Sequence, residues 1–291
     1  MNDLSATPWP RLPKRDSNSH KGDCGAVLIV GGSLGMAGAP ALAGTACLRS
    51  GTGLVSLAVP RCVQPTVAAF NAALMTHALP DNGETITSAA DKALETLRDR
   101  FDAVAIGPGL GRSDELTDLC VTLFRDSDRW MVFDADGLNA LANRRKSLGT
   151  PTNPRVLTPH AGEFARLAGE PLRDQHDDGE RLQRASQLAR SFGSETVVVL
   201  KGTRTVITDG SNYAVNTTGN PGMATGGSGD VLTGIITALL AQGLSAFDAA
   251  RLGAHVHGLA GDLAAAKLGE ISLIAPDLID WLPAAWVRLA A

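Results

Sequence analysis

Asn216-Thr217-Thr218-Gly219-Asn220-Pro221-Gly222-Met223-Ala224-Thr225-Gly226-Gly227-Ser228-Gly229-Asp230, followed by the apolar run that opens at Val231, is the stretch on which the reading of this chain turns. Of these residues only Met223 can pack into a core. The rest is turn and polar residues leading straight into an apolar helix. Glycines 226, 227 and 229 allow successive backbone N–H groups to converge, and the helix dipole adds positive potential at the same point. That combination is an anion hole suited to a phosphoryl group in transfer. Asp230 sits in the first turn beside it. A carboxylate there is ordinarily a solvated partner of the dipole. Next to a phosphate cradle it would repel the ligand, unless it acts as a base or binds a substrate hydroxyl.

Upstream of this stretch, short apolar runs alternate with longer alanine-rich segments. The runs are 26–30, 54–59, 103–106, 130–133, 155–157 and 196–200. Helices are predicted near 38–50, 61–70, 88–98, 113–125, 137–143, 161–168 and 178–192. Buried strands alternating with helices describe βαβ units and a parallel sheet covered on both faces. The rhythm changes after Leu200. Residues 204–208 and 213–216 flank Thr208-Asp209-Gly210-Ser211, an Asp-Gly turn that predicts an antiparallel hairpin. Helices are predicted at 229–242, 246–267 and 276–289, the last opened by Pro276. Residues 1–20 read as an N-terminal arm that docks or frays, and 21–291 as a single domain without linker or repeat.

Composition limits the function classes. The 291 residues carry 26 Lys and Arg against 30 Asp and Glu, a net charge of −4, so no basic face for nucleic acid is expected. Hydrophobic residues make up 44% and charged residues 19%, which rules out global disorder. The apolar run 231–247 is interrupted by Thr233, Gly234, Thr237, Gln242, Gly243 and Ser245, so no membrane span is expected. The polar opening segment has no apolar signal region. Cys24, Cys47, Cys62 and Cys120 form no CxxC pair. Together these features predict a cytoplasmic chain with reduced thiols.

In open α/β sheets ligands bind at the carboxyl ends of the strands. The segments placed there are Gly31-Gly32-Ser33 with Gly38-Ala39-Pro40; Gly107-Pro108-Gly109-Leu110-Gly111; Asp134-Ala135-Asp136-Gly137-Leu138-Asn139; Thr158-Pro159-His160-Ala161-Gly162-Glu163; and Lys201-Gly202-Thr203-Arg204-Thr205. Neither early glycine loop follows GxGxxG, and the chain contains no Gly-Lys dipeptide. A dinucleotide dehydrogenase of the usual kind and a P-loop NTPase are therefore disfavoured.

Gly-Gly-Ser-Gly-Asp opening a late helix resembles the anion hole of the ribokinase-like superfamily. With His20-Lys21-Gly22, Asn220-Pro221-Gly222-Met223-Ala224 and the loops above, the ordered set from about 20 to 270 is similar to the ADP/ATP-dependent NAD(P)H-hydrate dehydratases. The resemblance implies a three-layer α/β/α fold with a mostly parallel central sheet and an antiparallel hairpin at one edge. It implies a hydro-lyase of metabolite repair that returns the S-epimer of hydrated NADH or NADPH to NADH or NADPH. The C6 hydroxyl is phosphorylated by ADP, or ATP in some relatives, and phosphate is then eliminated. The resemblance makes Asp230 the base and gives the phosphoryl group to the N–H groups of Gly227, Ser228 and Gly229. It puts Lys201, Gly202, Thr203, Arg204, Thr205 and Gly229 on the nucleotide, and Ala39, Gly109, Gly111, His160 and Asp230 on the hydrated dinucleotide. It also implies Mg²⁺ with the nucleotide, with Asn139 and Glu163 acting through water and no protein ligand set assigned. A homotetramer is implied, and so is a separate epimerase, since many relatives carry an N-terminal epimerase domain.

The residues alone give plainer readings beside these. Lys201 could be a solvated lysine and His160 a helix cap. Asp134 and Asp136 read as caps of the helix near 137. His255 and His257, about 200° apart on one helix, read as packing or surface residues. Glu180, Arg181, Arg184 and Arg190 read as a solvated helix face, and Met223 as packing under its loop. Two rivals stay open: a hydroxymethylpyrimidine or hydroxyethylthiazole kinase of the same superfamily, and a non-catalytic nucleotide-binding protein.

Overall fold

The alternation of apolar positions along the strands builds two cores, one on each side of a single sheet. The computed structural model describes residues 1–290. Its ten strands are β1 (Asn2–Asp3), β2 (Ala26–Val30), β3 (Leu54–Pro60), β4 (Met75–Leu79), β5 (Ala103–Ile106), β6 (Trp130–Phe133), β7 (Arg155–Leu157), β8 (Thr196–Leu200), β9 (Val206–Thr208) and β10 (Asn212–Val215). They lie in the order β1-β10-β9-β8-β7-β6-β5-β2-β3-β4. β4 through β8 are parallel with β2 and β3, and β9 runs antiparallel between β8 and β10.

Within β2, Val27 and Ile29 face one core while Leu28 and Val30 face the other, the period of two that a doubly covered strand requires. The first core is closed by α1 (Gly38–Arg49), α2 (Gln64–Phe70), α8 (Ser228–Ala241), α9 (Ala246–Leu268) and α10 (Ala275–Ala290). The second is closed by α3 (Asp91–Arg98), α4 (Asp114–Asp126), α5 (Ala135–Asn143), α6 (Ala161–Ala168) and α7 (Asp178–Ser191). The result is the expected three-layer, mostly parallel fold, and the hairpin β9–β10 turns at Asp209, whose Oδ1 accepts from the Ser211 and Asn212 amides. No helix among the described residues is long and apolar enough to cross a membrane.

Three details go beyond the sequence reading. β4 was not foreseen, because Met-Thr-His-Ala-Leu is short and half exposed at the sheet edge, with no apolar alternation to betray it. The helix expected from residue 88 begins as a 3₁₀ turn at Ser88–Ala90 before α3. The hairpin lies at one edge as expected, and β1 of the arm adds a two-residue parallel strand outside β10. The arm continues through Trp9, which stacks on His255 of α9 at 4.2 Å and lies 4.6 Å beneath the Arg251 guanidinium.

Candidate active site

The start of α8 is held by packing rather than by a side-chain cap. Gly227 occupies the N-cap with φ +91°, and a Cβ there would fall 2.6 Å from Leu42 Cδ1 and 2.9 Å from Ala275 Cβ. Only glycine meets both conditions. The Val231 amide donates to Gly227 O at 3.1 Å and the Ser228 amide to Thr225 O at 3.3 Å. Among the described residues no protein acceptor meets the amides of Gly227 and Gly229. Of the three amides expected at the anion hole, two are therefore unengaged, and Ser228's takes part in a turn.

Beneath this turn lies an ion pair. Asp134, buried at the carboxyl end of β6, accepts from Lys201 Nζ at 2.8 Å and from Thr233 Oγ1 at 2.8 Å. Lys201 follows β8 and also faces Glu163 Oε2 at 3.8 Å. A Cβ on Gly229 would sit 3.2 Å from Lys201 Nζ and 3.7 Å from Asp134 Oδ2, so the pair is packed against the first turn of α8. Asp134 occupies the N-cap of α5 as read, but its carboxylate makes no cap bond and is spent on Lys201 and Thr233 instead. The available signal was positional. Asp134 and Lys201 each follow parallel strands that flank β7, and a lysine and an aspartate reaching toward each other can together bridge two strand spacings of about 4.8 Å.

The charges tune one another. Burial pushes the Asp230 carboxyl up to about 7, Asp134 and Glu163 add to that, and Lys201 opposes it. Burial alone would lower the Lys201 ammonium, but Asp134, Glu163 and Asp230 outweigh it and hold it above its ordinary value. Three carboxylates thus share one ammonium, and Asp230 is left as a half-buried group poised near neutrality.

The loops after β2 and β5 meet where the chain order reverses across the sheet. Ser33 Oγ donates to Gly109 O at 2.9 Å, and a Cβ on Gly109 would lie 3.1 Å from Ala39 Cβ. A Cβ on Gly111 would lie 3.5 Å from Ser33 Cβ. Ala39, Gly109 and Gly111 therefore line one place, at the switch point where doubly wound sheets bind ligands. Asp136 braces this loop by accepting from the Gly111 amide and from Arg112 Nε, so its carboxylate too is spent away from a helix cap. Asn139 is engaged at both ends of its amide, by Asp136 and by Arg166. His160 takes its plainer role: it caps α6, Nδ1 accepting from the Gly162 and Glu163 amides.

Lys201, Gly202, Thr203 and Arg204 border a cavity of about 300 Å³ shared with Ala161, Leu172 and α7. Arg181 of α7 was expected on a solvated face. It is instead buried, donating to Leu200 O at 3.1 Å and Arg204 O at 2.7 Å. Arg204 pairs with Asp178 at 2.6 Å. Thr205 Oγ1 closes the loop on Gly202 O.

α9 holds the glycine-rich stretch from the other side. Asp262 accepts from the Gly219 amide and from Asn220 Nδ2, and Thr218 Oγ1 donates to His255 O. Met223 packs against Gly261, under its loop as expected. His257, read from the sequence as a packing or surface residue, has Nε2 3.0 Å from Ser228 O. Free amides at a helix start, a carboxylate near neutrality and a lysine beside them can together carry phosphoryl transfer to a hydroxyl group.

The chain is similar to known proteins over almost its whole length. A family model described as NAD(P)H-hydrate dehydratase matches residues 27–284. The chain is 48% identical over 286 residues to the bifunctional NAD(P)H-hydrate repair enzyme Nnr of Moorella thermoacetica, covering 96% of this chain and 53% of that protein. Its counterpart in Escherichia coli is 40% identical, covering 93% and 49%. The chain thus spans about half the length of the curated relatives it matches. Among solved structures, the ADP/ATP-dependent NAD(P)H-hydrate dehydratase of Bacillus subtilis, co-crystallised with ATP and Mg²⁺, superposes with TM-score 0.82 at 32% identity, covering 96% of this chain and 94% of that one. A hydroxyethylthiazole kinase from Pyrococcus horikoshii shares the fold at TM-score 0.61 and 15% identity.

Proposed function

The chain belongs to the NAD(P)H-hydrate dehydratase family, and from that premise we propose that it repairs hydrated NADH and NADPH by ADP-dependent dehydration of the S-epimer. The observation that carries the reading is Asp230, a half-buried carboxyl pushed up to about 7 beside the free amides of Gly227 and Gly229. Asp230 takes the proton of the C6 hydroxyl as its oxygen attacks the terminal phosphorus of ADP. The P–O bond to AMP breaks, and the amides of Gly227 and Gly229 with Lys201 hold the charge on the moving group. The phosphorylated hydroxyl is now a good leaving group. The ring nitrogen's lone pair expels phosphate, and loss of the neighbouring C5 proton restores the ring double bond. NAD(P)H, AMP and phosphate leave.

Ala39, Gly109 and Gly111 line the dinucleotide site in this reading, with His160 at its rim. Lys201 to Thr205 and Gly229 lie along the nucleotide. Both carboxylate oxygens of Asp134 already accept from Lys201 and Thr233. Mg²⁺ is therefore assigned to the nucleotide's phosphates, as a counterion that enters with ADP or ATP. A cytoplasmic location and a homotetramer are part of the reading. Exposed Ile271, Ile274, Leu268 and Val287 around the α9–α10 junction and on α10 support association of copies. Epimerisation of the hydrate is assigned to a separate catalytic unit, because this reading covers only the dehydrating half of the bifunctional relatives.

The test incubates the chain with hydrated NADPH, ADP and Mg²⁺ and follows the return of reduced-nicotinamide absorbance with release of phosphate and AMP. A kinase of the same fold would accumulate a stable phosphorylated product from its own alcohol substrate. A mere nucleotide binder would give no turnover. Either outcome would sink the reading.

A further inference from the structure

We infer that His257 is a positioning residue for phosphoryl transfer: its Nε2–H grips the Ser228 carbonyl and thereby aims the Gly229 amide at the transferring group. The inference rests on the proposed function for what the amide does, and on geometry alone for what His257 does.

His257 projects from α9 toward the start of α8, with Nε2 3.0 Å from Ser228 O and 3.3 Å from Ser228 Oγ. A carbonyl oxygen can only accept, so Nε2 carries the hydrogen. Burial, with help from Lys201, pushes the imidazole down to about 4 against the pull of its Ser228 bond, so the ring is neutral at physiological pH. The Ser228 carbonyl and the Gly229 N–H belong to one planar trans peptide and point in opposite directions. Fixing the oxygen therefore fixes the amide. The fixing matters here because Gly226, Gly227 and Gly229 give this segment more backbone freedom than any other helix start in the chain. The other anchors from α9 reach only Thr218, Gly219 and Asn220, well upstream. His257 is the α9 side chain that touches the hole itself. Removing a bond to a helix's first turn also frays it, and here the Val231 amide, bonded to Gly227 O, would report the fraying.

The full chain is compared with His257→Leu, His257→Asn and His257→Gln. Leucine removes the donor, asparagine keeps a donor too short to reach, and glutamine carries one about as far out as Nε2. Turnover of hydrated NADPH with ADP and Mg²⁺ is measured, together with amide hydrogen exchange of Val231. The Leu and Asn variants should lose about 10- to 100-fold in kcat with KM for both substrates within about threefold. Their Val231 amide should exchange about tenfold faster, and Gln should recover most of both losses. If the Leu variant does not fold, Asn against Gln carries the comparison. The inference is overturned by an unchanged kcat in the Leu or Asn variant, by a loss confined to KM, or by a Gln variant as slow as Leu. A wild-type chain that does not turn over the hydrate sinks the functional reading alone. Exchange then decides: equal protection of Val231 in all the proteins overturns the grip, and faster exchange in Leu and Asn reversed by Gln sustains it.

Discussion

Asp230 is less stable folded than unfolded as an anion, and its chemistry depends on that. A base for an alcohol proton works best with its pKa near the working pH. Asp230→Asn should lower kcat by about 10²–10⁴ while ADP still binds, measured by turnover and by calorimetry. In the wild type, kcat/KM should fall as pH drops through about 7, where the Asp230 carboxyl protonates. The same shift acts on stability. The carboxyl's ordinary value is 3.8 and its folded value about 7, so between those pH values the folded state keeps a proton that the unfolded state has lost. Stability from this residue therefore falls as pH rises across that window. Asp230→Asn should flatten that fall and gain up to about 3 kcal/mol at pH 7, read from urea unfolding at pH 4 and 7. The sequence made Asp230, Gly227 and Gly229 readable because they are contiguous. Asp134 and Lys201 form their pair across 67 positions of chain, which no local pattern could reveal.

At the scale of elements, what the sequence hid was mostly contact between a single polar side chain and a distant loop. α7 carries Glu180, Arg184 and Arg190 around its surface, but Arg181 shares the face of Ala185, Leu188 and Ala189 that packs into the second core. The fold brings the turn after β8 against it, so the guanidinium is buried against the Leu200 and Arg204 carbonyls. Burial lowers the Arg181 pKa, with Asp178 countering. Arg181→Met would leave those carbonyls unpaired and loosen the loop from Lys201 to Thr205. The expected result is a KM for ADP raised about tenfold with kcat changed less, and a loss of about 1–3 kcal/mol by urea unfolding. α9 shows the same limit. Its histidines are two apart and point to different partners, His255 to Trp9 and His257 to Ser228. Spacing correctly excluded a shared metal but was silent on what each would meet. By contrast, α8 was legible in position and length, because an apolar helix that follows a glycine-rich polar stretch has few other places to go than against the sheet.

Across the whole molecule, the parallel body of the sheet followed from the rhythm of apolar runs and the hairpin β9–β10 from its Asp-Gly turn, while the outermost strands β1 and β4 did not follow, because they are short and largely exposed. One edge is β4. The other would be β10, were it not covered by β1, and an uncovered edge offers unpaired amides and carbonyls to a second chain. Two residues pair there: Asn2 with Asn212 and Asp3 with Tyr213. So short a strand holds only if the arm is anchored further on, and the anchor is Trp9 between Arg251 and His255, with Arg251 also donating to Thr7 and Pro8 carbonyls. β10 runs directly into Asn216 and the stretch that feeds the anion hole, so the arm, α9 and the site share one support. Trp9→Ala should cost about 1–3 kcal/mol, seen as a Tm lower by several degrees, because a half-buried indole is lost together with its cation–π contact. It should also free β1 and leave β10 open, giving concentration-dependent aggregation on heating that light scattering would detect. Trp9→Phe, which keeps an aromatic face for Arg251 and His255, should retain most of the Tm and suppress the aggregation. A Trp9→Ala chain as stable and as monodisperse as the wild type would mean that β1 stays seated without its anchor.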